Sequence, residues 1–314
     1  MGTIVNVSTN CVGAGNTGVN PCNIDIKNTV GIIIVPNTFN IADSDLPTFL
    51  AALKTSTLAP KASRIYPIFN LTSEADNTEA TVIETFKNGS TGIVRDGYQD
   101  ETFQMLVGGL CLYLQVRKFR GQSVSALIID SNGLLQGVRN TDNSLSGIPI
   151  EMFDVATFKR NDGSALSKYL IRLRYAPSYL DSFGFVQGTL AQWLQVMGLQ
   201  QANLYSGGAR VAAVSLIKGT IGCGGEDLYE YAAILGSGSA AAPLWIAKDA
   251  VSGNMLTITG VASNANITGY TGTVDTSDPD YNAAHPVIWS LADAATLNTA
   301  GVLSIESNTF TTPN

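Results

Sequence analysis

The sequence predicts a mainly β protein in two domains, and three features carry that expectation. Short apolar runs rich in β-branched and aromatic residues recur along the chain, bounded by Asn-Gly, Asp-Gly and Gly-Gly pairs, the pattern of strands joined by tight turns. At 314 residues the chain exceeds what one hydrophobic core usually holds. Charge is uneven: residues 1–204 carry 15 Lys+Arg against 16 Asp+Glu, whereas residues 205–314 carry 3 against 9, so most of the net −7 lies in the last third.

Residues 1–23 (MGTIVNVSTNCVGAGNTGVNPCN) are rich in Gly, Asn, Thr and Ser. With little to bury, they read as an N-terminal arm, mobile or ordered by a neighbouring subunit. Ile24–Pro36 reads as a strand ended by its proline. Ala42–Lys54 reads as a helix, with Asp43 or Ser44 as cap and Pro47 in the first turn. Its Leu46, Phe49, Leu50 and Leu53 form one apolar stripe. Arg64–Leu71 is a strand whose Pro67 argues for an edge or a bulge. Thr81–Lys87 and Thr91–Arg95 form a hairpin across Asn88-Gly89, and Asp96-Gly97 turns the chain into a strand at Glu101–Val107.

The densest apolar stretch, Phe103–Val138, organises the first domain. Within it Leu110–Phe119 fits both helical and strand spacing. The glycine pair ahead of it and Arg117-Lys118 near its end favour a short helix with cations at its C-terminus. Ser123–Asp130 and Leu134–Val138 form a hairpin across Asn132-Gly133, for which a type I′ turn is expected. A polar loop, 139–147, leads to strands Ile148–Lys159 and Leu166–Tyr175. Arg172 and Arg174 alternate with Ile171, Leu173 and Tyr175, giving one cationic strand face, either solvated or paired with a neighbouring subunit. Phe183–Leu204 reads as a strand followed by a helix, or as one long connecting strand.

Tyr205–Gly208 marks the expected domain boundary. Beyond it, Arg210–Ile221, Leu244–Lys248, Met255–Val261, Gly269–Val274, Val287–Leu291 and Ser304–Phe310 read as short strands, with Glu226–Leu235 as a short helix or turn. Such spacing over about 100 residues argues an immunoglobulin-like β-sandwich.

No catalytic constellation is legible. His285 is the single histidine, and no GxSxG motif accompanies it. Gly222–Gly225 lacks the Gly-Lys-Ser/Thr ending of a phosphate loop. Asp275, Asp278 and Asp280 could offer carboxylates to a hard cation, but their spacing is not that of an EF-hand, and a solvated acidic turn is the simpler expectation. The four cysteines, Cys11, Cys22, Cys111 and Cys223, show no CxxC spacing. Reduced thiols are expected, with a Cys11–Cys22 bridge left open. No basic tract suits a nucleic-acid groove, and no cofactor is expected. Neither a secretory signal nor a membrane span is legible. Only 14% of residues are charged, against a usual ~25%, which suggests a surface partly hidden against partners.

The segment GLCLYLQVRKFRGQSVSALIIDSNGLL (109–135) and its surroundings resemble structural virion proteins of tailed bacteriophages, of a type seen in phages of Bacteroidetes, nearest to the tail-tube (major tail) class. CGGEDLYEYAAIL (223–235) and the stretch from Leu256 to Thr311 are similar to bacterial Ig-like modules appended to such proteins. The resemblance covers most of residues 24–310. It implies a tail-tube-like β-sandwich or barrel with flanking helices (24–204), plus a C-terminal Ig-like β-sandwich (205–314) decorating the outside. Six copies would join sheets into a ring, and rings would stack into a tube passing phage DNA without binding it specifically. The partners implied are the chain itself and other virion proteins, with synthesis in the host bacterial cytoplasm and residence in the virion tail. On this reading no enzyme activity is expected. The expected interface residues are Ile4, Val5, Val7 and Val12 in the arm, Arg139, Asn140 and Asp142 in the polar loop, and Arg172 and Arg174. The competing readings are a capsid decoration or head-fibre protein, and a surface-binding module with Tyr281 and Trp289 as the aromatics to consider.

Overall fold

The computed structural model describes residues 4–6, 28–95, 97–106, 109–156, 158, 168–222, 225–302 and 304–312. The chain is mainly β and divides into two units, 1–198 and 199–314. The division thus falls ahead of the predicted boundary at Tyr205–Gly208, because strand Gln200–Ser206 pairs within the second unit.

In the first unit, β1 (Ile4–Asn6), β2 (Thr29–Pro36), α1 (Leu46–Thr57), β3 (Tyr66–Phe69) and β4 (Leu71–Asp76) precede a hairpin of β5 (Val82–Thr85) and β6 (Thr91–Arg95). Then follow β7 (Asp100–Met105), α2 (Gly109–Val116), β8 (Val124–Asp130), β9 (Leu134–Arg139), β10 (Leu145–Ser146), β11 (Ile148–Val155), β12 (Leu170–Tyr175), β13 (Phe183–Gln187) and the one-turn α3 (Leu190–Trp193). One sheet runs β1-β13-β9-β8-β11-β12-β7-β4, with β2 on the other side of β8, β3 beyond β2, and β10 on β9. β8 is buried along its whole length. β2 alternates between two cores: Ile32 and Ile34 join one with Phe103, Tyr113 and Leu173, while Ile33 and Val35 join the other with Phe49, Leu53, Leu127 and Trp193. A strand covered on both faces reads as a continuous apolar run, which is why VGIIIVP shows no alternation.

α1 carries the expected stripe, with Phe49, Leu50 and Leu53 buried and Pro47 in the first turn, but its cap is Asp45 rather than Asp43 or Ser44. The Asp45 carboxylate accepts from the Thr48 N–H at 3.1 Å. Arg64–Leu71 is not one strand: Asn70 takes a positive φ of 56° and separates β3 from β4. Pro67 sits in β3, whose one partner among the described residues is β2, as edge placement requires. The 110–119 segment is helical, α2 followed by a 3-10 turn at Arg117–Phe119.

The β8–β9 turn departs from the type I′ expectation. Gly133 has φ 80° but Asn132 has no positive φ. The Gly133 N–H donates to the Asp130 carbonyl at 3.0 Å, and Asp130 Oδ1 accepts from the N–H groups of Asn132 (2.9 Å) and Leu134 (2.8 Å). This is a three-residue loop, a turn closed by a left-handed glycine. Asp130 explains the choice, since its carboxylate satisfies two N–H groups that a two-residue loop would place elsewhere.

Cys111 is disulfide-bonded, which corrects the reduced-thiol expectation at that residue. The other three cysteines lie outside the described residues, as do residues 24–27 of the first predicted strand and the Asn161-Asp162-Gly163 turn.

The second unit contains β14 (Gln200–Ser206), β15 (Val214–Ile221), β16 (Glu226–Asp227), α4 (Ala232–Leu235), β17 (Ser237–Gly238), β18 (Trp245–Asp249), β19 (Met255–Leu256), β20 (Ile258–Asn264), β21 (Gly269–Val274), β22 (Val287–Leu291), α5 (Ala294–Thr299), β23 (Ile305–Ser307) and β24 (Phe310–Thr311). Two sheets, β17-β20-β21-β15-β14-β23 and β19-β18-β22-β24, contribute to one core. Trp289, Trp245 and Tyr270 lie in it, each with its polar atom bonded: to Ser215 Oγ at 3.0 Å, the Leu235 carbonyl at 2.9 Å and the Leu228 carbonyl at 2.7 Å. Helix α5 lies outside the elements expected from the sequence, although its signals are ordinary: Asp293 caps it and Gly301 follows at φ 94°. Among the described residues no helix is long and apolar enough to cross a membrane.

Candidate assembly surfaces

The β5–β6 hairpin forms its own two-stranded sheet. Ile83 pairs with Ile93 and Thr85 with Thr91. Asn88-Gly89 closes it as expected, with the Gly89 N–H donating to the Phe86 carbonyl at 2.8 Å. Every residue of β5 is exposed, and so is nearly all of β6. Ile83 is 61% exposed and Ile93 68%, with Phe86 and Val94 also open. A lone two-stranded ribbon is marginal in water, and a ribbon that also presents this much apolar surface resembles half of an interface.

Its base is tied to the main sheet. Glu79 and Tyr98 exchange backbone hydrogen bonds of 2.9 and 3.1 Å, and Arg95 forms an ion pair with Glu79. The Arg174 guanidinium lies 4.0 Å from the centroid of the Tyr98 ring. A hydrogen bond between the Tyr98 hydroxyl and Glu79 lowers the Glu79 carboxyl and raises the Tyr98 phenol. Gly97 is required by space, because a Cβ there would stand 2.4 Å from the Glu79 carbonyl oxygen.

Arg174 leads to the next correction. Register places Arg174 opposite Asp100 and Arg172 opposite Thr102. Arg172 Nε and Nη2 donate to the two Asp100 oxygens at 2.7 and 2.8 Å, and Arg174 Nε and Nη2 donate to Oδ2 at 3.2 and 3.1 Å. Asp100 is fully buried. Burial opposes its ionisation, but the two guanidiniums outweigh that and hold its carboxyl below the usual range. The cationic face is therefore not simply solvated: it is paired inside the chain with Asp100. Spacing along one strand could not reveal a carboxylate 72 residues away.

The arm is also partly engaged within its own chain. β1 pairs with β13, Ile4 opposite Val186 and Val5 opposite Phe185. Ile4 is buried, and its N–H donates to Asp43 Oδ1 at 3.0 Å. At residues 4–6 this replaces the expectation of an arm that is mobile or ordered by a neighbour, while Val7 and Val12 lie outside the described residues. The 139–147 loop is shorter than expected, since Arg139 ends β9 and Leu145 begins β10. Its polar groups close on one another. The Asn140 N–H donates to the Ser144 carbonyl at 2.9 Å, Arg139 Nη2 donates to Asn143 Oδ1 at 2.6 Å, and Asp142 accepts from the Ser144 N–H at 3.0 Å. Of the expected interface residues Arg139, Asn140 and Asp142, only Asp142 is exposed.

α2 presents a second apolar surface. It packs inward through Tyr113 and Val116. Leu110 (46% exposed) and Leu114 (50%) lie one turn apart on its outer side, and Leu106, on the approach to the helix, is 60% exposed.

In the second unit the three aspartates act as turn formers. Asp275 accepts from the Ser277 N–H (2.8 Å) and hydroxyl (2.6 Å). Asp278 accepts from the Asp280 N–H (3.0 Å) and the Thr257 N–H (2.7 Å). Asp280 accepts from Asn254 Nδ2 at 2.8 Å. Side-chain hydrogen bonds, Ser277 to Asp275 and Thr257 to Asp278, lower both carboxyls. No group of three His, Cys, Asp or Glu side chains among the described residues is placed to hold a metal ion. Trp289 is core, and Tyr281 carries the Arg210 guanidinium 5.5 Å from its ring centroid.

His285 has a partner the sequence did not suggest. Its Nδ1 lies 2.8 Å from Oδ2 of the buried Asp249, and its Nε2 lies 3.2 Å from Asn282 Nδ2. The β18–β22 register, Asp249 opposite Val287, brings them together. With Nε2 met by an amide, the pair acts as a latch on the 281–286 loop. Burial opposes ionisation of Asp249, but hydrogen bonds from Ser252, His285 and Val251 bring its carboxyl down to about 2. A folded-state value below the unfolded one gives stability that is complete above the unfolded pKa of 3.8 and is lost as pH falls towards 2. The contribution is about 2 kcal/mol. Urea midpoints measured from pH 5 to pH 2 should therefore fall more steeply in the wild type than in Asp249→Asn; parallel curves would contradict this.

Comparison with known proteins returned no significant match to a protein-family model, a curated protein or a solved structure.

Proposed function

We propose that this chain is a structural subunit that assembles with copies of itself, and that the assembly belongs to a tailed-phage virion, as a tail-tube protein of stacked rings. The observation that supports self-assembly is the exposed β5–β6 ribbon. A monomer gains nothing from holding Ile83 and Ile93 in water, and a neighbour that covers their face would convert a marginal ribbon into a packed one. The virion reading rests on the resemblance of residues 109–135 and on the low charge content. On this reading the partners are the chain itself and other virion proteins, phage DNA passes a lumen without specific contact, and no catalysis or cofactor is involved.

The test is negative-stain electron microscopy of the purified full chain, concentrated and aged. Six-fold rings or hollow tubes are the expected result. Particles that stay monomeric at every concentration would overturn self-assembly. A discrete oligomer that binds capsids would replace the tube with a decoration protein.

A further inference from the structure

The ribbon and the exposed leucines of α2 lie at opposite ends of one strand. The chain leaves the ribbon at Arg95 and enters β7 at Asp100; it leaves β7 at Met105 and enters α2 at Gly109. Six strand residues span roughly 17–20 Å. β7 sits between β12 and β4 in the main sheet, so the two apolar surfaces are held apart on a paired strand.

We infer that the Ile83/Ile93 face of the ribbon in one copy docks on the Leu106, Leu110 and Leu114 surface of a second copy. The inference rests on the self-assembly reading and names the contact. Strand side chains alternate between faces. The observed register therefore puts Ile83, Ile93, Thr85 and Thr91 on one uncharged face, while Glu84 falls on the other, where Phe86 covers Gly92. The uncharged face suits an apolar seat, while Glu84 on the other keeps its carboxylate in water beside Phe86, which packs on Gly92. Each surface alone offers an apolar patch on the order of a few hundred Å², the core of an interface of ordinary size but not two of them. One heterologous contact covers both patches at once, whereas self-pairing would need a separate two-fold for each. A contact between unlike surfaces at opposite ends of a strand repeats in one direction and gives rings or open stacks.

The test uses two full-length variants, Ile83→Glu/Ile93→Glu and Leu110→Glu/Leu114→Glu, with circular dichroism confirming that each folds. All four positions are exposed, and the milder Ile→Thr or Leu→Gln pairs replace any variant that does not fold. Each variant alone should raise the concentration needed for assembly by at least about tenfold. An equimolar mixture should give a discrete heterodimer by light scattering, because the first variant keeps an intact leucine seat and the second an intact ribbon. A leucine variant that assembles like the wild type, or a mixture that stays monomeric, would overturn the contact. A wild type that never assembles would instead overturn the self-assembly reading beneath it.

Discussion

Replacing Asp100 with alanine is expected to destabilise the first unit by about 3 kcal/mol, at the low end of what breaking a buried ion pair costs. Asp100 is fully buried and accepts four hydrogen bonds from Arg172 and Arg174. The low end is appropriate because both guanidiniums are partly exposed and can turn to water once the carboxylate is gone. Asp100→Asn should rescue little. The amide keeps the volume but turns an NH2 group towards two cations, and it accepts through one oxygen where the carboxylate used two. The measurement is the urea midpoint of each variant, followed by circular dichroism. A loss below about 1 kcal/mol would mean that the arginines are as well placed in water as in the pair. A second readout reaches the candidate interface. Arg174 also stacks on Tyr98 at the base of the ribbon, so amide exchange at Glu79 and Tyr98, whose N–H groups bond each other's carbonyls, should quicken in both variants, and ribbon-dependent assembly should weaken with it.

This network shows where a sequence stops being informative. The strands were legible wherever one strand's own pattern sufficed: VGIIIVP for a strand buried on both sides, Asn88-Gly89 for the ribbon turn, and the Leu46–Leu53 stripe for α1. The cationic face of β12 was legible as a pattern but not as a contact, because its partner is set by the β7–β12 register, which no local period encodes. The same holds for His285 and Asp249, joined by the register of β18 and β22. The type I′ expectation failed for a different reason. Asn-Gly on its own favours a two-residue turn, while Asp130, two residues earlier, offers a carboxylate that satisfies two N–H groups of a longer loop. The ribbon's exposure was also hidden in the sequence, since Val82, Ile83, Ile93 and Val94 are core-type residues. Only the sheet topology shows that, among the described residues, no strand of the main sheet pairs with them. Helix α5 is encoded locally, because the Asp293 cap and Gly301 both stand in the sequence.

Trp193→Ala should be the most damaging single change in the first unit, at about 3–5 kcal/mol. α3 has only four residues and could not persist by helical propensity. It is placed by a capping box between Thr189 and Gln192 and by the indole it delivers. That ring is fully buried and meets Phe49 of α1 edge-on, with centroids 6.5 Å apart. Its Nε1 donates to the Gly133 carbonyl at 2.8 Å, and residue 188 is glycine because a Cβ there would lie 2.6 Å from the ring. The β8–β9 turn, α1 and the end of β13 therefore all close on one side chain. Packing and hydrogen bonding can be separated. Trp193→Phe keeps most of the apolar contact and loses the donor. The Gly133 carbonyl still accepts from the Gly188 N–H at 3.0 Å, so no buried acceptor is orphaned, and the cost should be about 1 kcal/mol plus a small void. Urea unfolding followed by far-UV circular dichroism reads both variants, since the other two tryptophans, Trp245 and Trp289, belong to the second unit and fluorescence would then report that unit alone. A phenylalanine variant as damaged as the alanine one would assign the energy to the hydrogen bond. A mild alanine variant would show that α1 and the turn can close over the space without the ring.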